Sequence, residues 1–181
     1  MNKRNGLRIL LPMASLAVLL LGFAVTGFAS DPNLAASLSD QVRHELLMLP
    51  YYNVFDELNF TIDGSNTVIL SGKVTRPILK SDAEAAVRGI PGIKGVVNNI
   101  EVLPLSPFDN RIRADMLWAI YSRPGFEKYA IQANPPIKII VENGNVTLDG
   151  VVGSQMDKQV AEMAARSVPG VFSVTDNLKV S

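Results

Sequence analysis

Apolar and polar positions along this chain follow two periods, one near 3.6 and one of 2, and their order occurs twice. Residues 40–49 place Val42, Leu46 and Leu49 on one helical stripe, which Pro50 ends. Alternation then takes over in Leu58, Phe60 and Ile62, pauses at Asp63-Gly64-Ser65-Asn66, and resumes in Val68 and Leu70, predicting a hairpin. Pro77 opens a second helix with Val87 and Ile90 facing inward, and Pro91-Gly92 stops it before a last strand ending at Val102. The pattern then restarts. Ile112, Met116 and Ile120 form a helical stripe, and Ile137, Ile139 and Val141 alternate up to Asn143-Gly144, a strong hairpin signal. Val146 and Leu148 follow, and then a helix that Ser154 and Asp157 cap, with Ala165 and Val168 inward. Pro169-Gly170 leads into the closing strand.

The two halves are a duplication. Shifted by 78, residues 68–102 fall on 146–180 without a gap, and 14 of the 35 positions are identical. Upstream the offset drops to 70, so the second copy carries about eight extra residues within 122–135. Each copy reads helix–strand–strand–helix–strand. The fold class expected is α+β: two tandem units, each with two helices on one face of a three-stranded mixed sheet. Gly72 and Gly150 share a strand position where a bulge or close backbone approach is expected. Pro91, Gly92, Pro169 and Gly170 are read as turn geometry, and Asn99 and Asn177 as side chains bonding nearby backbone.

Ahead of the repeats, residues 1–29 hold Lys3, Arg4 and Arg8, no acid, an apolar run from Ile9 to about Val25, and small residues at Gly27 and Ala29. That is the pattern of an export signal, with a retained N-terminal anchor as the rival reading. The expected organisation is thus a signal or anchor at 1–29, a short leader at 30–38 and a first unit at 39–102. A stiff linker with two prolines at 103–108 and a second unit at 109–181 complete it. The protein is expected to be periplasmic or secreted, or held at the inner membrane if the segment stays.

Composition then excludes several chemistries. There is no Cys and one His, His44, which leaves no thiol nucleophile, disulfide framework or multi-His metal cluster. No catalytic triad or phosphate-binding glycine loop is present, so neither an enzyme nor a cofactor nor a metal site is expected. The 17 basic and 17 acidic residues balance only because 1–29 is basic. Without Lys3, Arg4 and Arg8 the rest is 14 against 17, net −3, which argues against nucleic acid as a partner.

Val68-x-Leu70-x-Gly72, Ala83-Glu84 and Pro91-Gly92-Ile93-x-x-Val96-x-x-Asn99, with their counterparts ending in Pro169-Gly170-Val171-x-x-Val174-x-x-Asn177, resemble the BON domain family. Two such units behind an export signal resemble the tandem, OsmY-like periplasmic members. The resemblance implies an envelope location, a non-enzymatic role and binding to phospholipid or to other envelope proteins. This chain differs from lipoprotein members in lacking an acylated Cys, and it carries the longer loop in copy two.

The region that invites a partner is the entry to copy two. On a helical wheel, Trp118 falls almost opposite Ile112, Met116 and Ile120, beside Arg111 and Tyr121. Arg123, Phe126, Lys128 and Tyr129 follow, with aromatics interleaved among cations. Rings with flanking cations suit the interface of an anionic membrane. Arg111, Trp118, Tyr121, Arg123, Phe126, Lys128 and Tyr129 are therefore the candidate membrane or partner surface, with anionic phospholipid as the leading ligand. The competing expectations are an envelope protein as partner, in a chaperone-like stress module, and a purely internal role in which Trp118 and Tyr121 pack on the linker, on unit one or on the inserted loop.

Overall fold

The computed structural model describes residues 32–181, so the export segment expected at 1–29 lies outside the described residues. The chain runs α1 (Pro32–Leu47), β1 (Glu57–Ile62), β2 (Thr67–Val74), α2 (Pro77–Arg88), β3 (Gly95–Asn98) and β4 (Glu101–Val102). It continues with α3 (Pro107–Tyr121), α4 (Glu127–Ala130), β5 (Ile137–Glu142), β6 (Asn145–Val152), α5 (Gln155–Arg166) and β7 (Ser173–Val180). This is the α+β pair of units that the repeat implies. No helix among the described residues is long and apolar enough to cross a membrane.

Both sheets are mixed and share one plan. In the first, β1 pairs antiparallel with β2, which pairs in parallel with β3 and β4. In the second, β5 pairs antiparallel with β6, which pairs in parallel with β7. The parallel register is the same: Val68 faces Val96 and Val146 faces Val174. The parallel return is possible because a helix, α2 or α5, bridges it and covers the sheet. Copy one differs by a break after Asn98, which divides its last strand into β3 and β4 on a single register.

Each core is the inward stripe of its helices on one sheet face. Leu38, Val42, Leu46, Leu79, Ala83 and Val87 meet Val68, Leu70 and Val74 in unit one. Ile112, Met116, Ile120, Ala161 and Ala165 meet Ile137, Ile139, Val146 and Leu148 in unit two. The first helix begins well before residue 39, because Leu38 extends the Val42–Leu46 stripe by one turn and packs toward the Gly92 turn. Inside the expected linker, Pro107 sits in the first turn of α3 and Ser106 caps it, its Oγ accepting from Asp109 N at 3.1 Å. Leu103 is buried and its N–H bonds Val74 O, so the stiff connection is short.

The repeated glycine has a steric cause. Gly72 and Gly150 have φ of +116° and +126°, and a Cβ on them would lie 2.1 Å from Glu57 O and 1.8 Å from Pro136 O. The hairpin strands cross too closely there for any side chain. Gly150→Ala should therefore cost at least about 2–3 kcal/mol in urea denaturation. Gly64→Ala, where a Cβ meets nothing within 4 Å, should stay within about 0.5 kcal/mol.

Candidate functional site

The surface forecast around α3 divides into an outer part and a buried part. Arg111, Ala114, Asp115, Trp118 and Ser122 form the outer stripe of α3, and Trp118 is 75% exposed. Tyr121 is half-buried against the core of unit two, and its hydroxyl donates to Ile137 O at 2.7 Å. Burial lifts that phenol well above its ordinary pKa.

Phe126 and Tyr129 do not belong to the outer surface. Phe126 is 1% and Tyr129 6% exposed, and their rings meet edge to face at 5.4 Å inside the core. The inserted segment turns inward because the end of unit two leaves room for two rings beside Ile137 and Val152, and burying each ring is worth a few kcal/mol. The Tyr129 hydroxyl donates to Asp157 Oδ2 at 2.6 Å and accepts from Gly153 N at 2.7 Å. Lys128 also bonds Asp157 Oδ2, at 2.8 Å, while lying over the Tyr129 ring. These bonds from Lys128 and Tyr129 lower the Asp157 carboxyl below the usual range.

The cations of this region are correspondingly occupied. Arg123 Nε donates to Ala119 O at 3.1 Å, closing the carbonyl end of α3. Arg113 is buried, and Lys138 lies 4.2 Å from the Tyr52 ring centroid. Arg111 alone of the five is exposed and free of hydrogen bonds and ion pairs among the described residues. Beside Trp118, a cleft of about 660 Å³ is lined by Ser122, Arg123, Pro124, Val168 and Pro169. It lies at the C-terminal ends of α3 and α5, whose carbonyls and the nearby Asp115 disfavour an anion. Phe108 and Phe172 add a stacked, outward-facing pair with centroids 6.0 Å apart, Phe172 being 74% exposed.

Of the motif residues, Pro91, Gly92, Pro169 and Gly170 turn the chain between helix and last strand, Gly92 and Gly170 with positive φ. The expected side-chain bonds of Asn99 and Asn177 are made one residue earlier. Asn98 Oδ1 accepts from Ile100 N at 3.1 Å, and Asp176 Oδ1 accepts from Leu178 N at 2.9 Å. Asn99, in the break between β3 and β4, and Asn177, on the outer side of β7, are exposed, and their half-buried neighbours make the bonds.

A polar junction between the units was not foreseen. Asp56 is fully buried; Oδ1 accepts from Thr75 N and Oγ1, and Oδ2 from Asn53 N. This shapes the loop whose Val54 enters the core of unit two, while Val54 O accepts from Ile139 N at 2.8 Å. Asp109, also fully buried, accepts from Asn143 N and Gly144 N and so holds the β5–β6 turn to α3. Lys73 and Glu142 pair across the units. The signal available was the register of α3: Asp109 and Arg113 fall three or four residues from Ile112 and Met116, on core positions.

With this geometry in place, the family model described as "BON domain" matches residues 33–104 and 126–181. The chain belongs to the BON domain family. BON proteins are generally non-enzymatic binding modules, associated with membranes and phospholipid and typically periplasmic. No curated protein sequence matches this chain. Among the solved structures that align with it are two of CdsD, a structural protein of the type III secretion system of Chlamydia trachomatis. Each is 13% identical with a TM-score of 0.30 and covers 80% of this chain; 97% of one, its C-terminal domain, and 93% of the other are covered.

Two measurements follow from this arrangement. Phe126→Ala should cost about 3–5 kcal/mol of stability, whereas Trp118→Ala should stay within about 0.5 kcal/mol, both read by denaturant unfolding. At the junction, burial pushes the Lys138 ammonium down to about 8, partly offset by Asp56. An ammonium with a lowered pKa binds its proton more weakly when folded, so its contribution grows as pH rises from about 8 toward the ordinary lysine value. Melting temperature relative to Lys138→Met should climb over that window. Above pH 10 the Tyr52 phenol, raised to about 12 chiefly by burial, adds a contribution of opposite slope.

Proposed function

We propose that this BON protein is an exported, non-enzymatic adaptor of the cell envelope that docks on anionic phospholipid surfaces through the outer face of α3. The observation that carries this reading is Trp118, 75% exposed on a helix whose opposite stripe is fully used by the core. An indole is most stable at the headgroup level of a bilayer, where its ring is dry and its N–H wet. Arg111, seven residues before it on the same stripe, is placed to meet a lipid phosphate. The exposed Phe108–Phe172 pair extends the apolar contact along the same domain.

The internal engagement of Arg113, Arg123, Lys128 and Lys138 sets the character of the binding. One free cation contributes about 1 kcal/mol at an anionic leaflet, so insertion of rings carries most of the affinity and salt weakens it only modestly. Vesicles containing phosphatidylglycerol should blue-shift the emission of Trp118, the single tryptophan. In a flotation assay Trp118→Ala should lose most of the bound fraction, and Arg111→Gln should weaken partitioning about fivefold. No shift at low salt would overturn the reading. Association with envelope proteins in the absence of lipid, lost on Trp118→Glu in a folded protein, would replace it with a protein–protein module.

A further inference from the structure

The turn between β5 and β6 carries a chemistry that neither the outer face of α3 nor the junction uses. Asn143 and Gly144 are its two central residues, with φ of +51° and +76°, and Asn143 is exposed. Asparagine followed by glycine is the pair most open to spontaneous deamidation, because no side chain on the second residue shields its nitrogen. In that reaction the Gly144 nitrogen gives up its proton and bonds Asn143 Cγ, and ammonia leaves. Water then opens the five-membered succinimide to aspartate or isoaspartate.

The fold holds that nitrogen in place. Gly144 is buried and its N–H donates to Asp109 Oδ1 at 2.8 Å, while Asn143 N donates to Oδ2 of the same carboxylate at 3.0 Å. Asp109 has no exposed surface, and its own N–H is anchored on Ser106 Oγ at 3.1 Å. A carboxylate set against an amide opposes loss of the amide proton, and bonds to a charged acceptor are among the stronger ones in a protein. From the other side Phe172 N donates to Gly144 O at 2.9 Å, and a Cβ on Gly144 would stand 2.6 Å from the Phe172 ring. The nitrogen can turn toward Asn143 Cγ only when the first turn of α3 lets go. Copy one has Ser39 at the position of Asp109, and its turn is closed from within, Asp63 Oδ1 accepting from Ser65 N and Thr67 N. The asparagine–glycine turn and the carboxylate that grips it thus occur together, in copy two.

We propose that Asn143-Gly144 is a latent deamidation site, kept closed by Asp109 and open to reaction when the N-terminal turn of α3 leaves the β5–β6 hairpin. The change is one-way. Isoaspartate lengthens the main chain by one carbon, so the two amides no longer fit one carboxylate, and either product adds a negative charge within one residue of it. After one reaction α3 is held less firmly. Asp109 acts here as a positioning residue and is neither acid nor base. Docking on lipid is not involved, since the reaction needs no ligand and touches neither Arg111 nor Trp118.

The test is peptide mapping by mass spectrometry after ageing the protein at mildly alkaline pH, with aspartate and isoaspartate at position 143 counted together. Folded wild type should deamidate there at least about thirtyfold more slowly than the same chain in urea, a factor set by local opening of the turn. Asp109→Asn keeps the shape of the side chain but sets an N–H against one of the two amides, and should raise the folded rate on the order of tenfold. Asp109 also offsets the Arg113 charge in part, so its loss can loosen unit two generally. Tyr129→Phe controls for that, because it loses bonds to Asp157 and Gly153 at the opposite end of the hairpin. It should leave the rate at position 143 within about twofold of wild type. If circular dichroism shows Asp109→Asn unfolded, Ser106→Ala takes its place; it removes only the anchor of Asp109 N and should raise the rate roughly threefold. Equal rates in folded and unfolded wild type overturn the proposal. So does a rate in Asp109→Asn, or in Ser106→Ala where that variant decides, no higher than in Tyr129→Phe.

Discussion

The relation between the two units rests on one buried carboxylate. Asp56 has no exposed surface, so its charge must be solvated by the protein, and Asn53 N, Thr75 N and Thr75 Oγ1 do so. Satisfying it bends residues 53–56 into a tight loop ahead of β1. That loop carries Val54 into the other unit's core and offers its carbonyl to Ile139 at the edge of β5. An open strand edge attracts unwanted pairing, and here a neighbouring unit covers part of it. The same loop forms one wall of a groove beside Arg113, whose charge the buried Asp109 and Asp56 offset in part. Removing Asp56 would therefore disturb the domain junction as well as unit one.

Duplication accounts for the shared plan, and divergence in one connection accounts for the differences. In both copies the segment between the first helix and the first strand lies at the end of the core. In copy one it is short and points outward, so that Val54 and Phe55 reach the partner unit. In copy two it is longer and folds back, and Phe126 and Tyr129 plug their own core. Two identical units with outward loops would leave the second loop without a receptor. The inward turn of the longer loop closes the pair at two units.

What could be read from the residues follows the physical range of each effect. Helix stripes, strand alternation, Pro77 and Ser154 at helix starts, and the glycines at 72 and 150 are local, and their positions in the fold match the pattern. The fate of Phe126, Tyr129 and the cations could not be read in that way. An aromatic beside a lysine looks the same whether the ring faces lipid or faces its own core. What decides is the space left beside Ile137 and Val152 and an acceptor at Asp157, 28 residues from Tyr129. Asp109 and Arg113 were legible in principle, since polar residues on a core register require a partner to be named.

The distribution of charge also separates two kinds of surface on one helix. Along its outer stripe α3 carries Trp118 and the uncommitted Arg111, a combination in which a flat apolar contact dominates and electrostatics adds little. On its flank toward unit one the same helix carries Arg113 in a nearly dry setting, where burial lowers its pKa and the carboxylates of Asp109 and Asp56 act against that shift. A helix of fifteen residues can present both because its faces are separated by about a third of a turn, and the core occupies the remainder. Junction packing and surface attachment thus share one helix, with Ala114 bordering both faces.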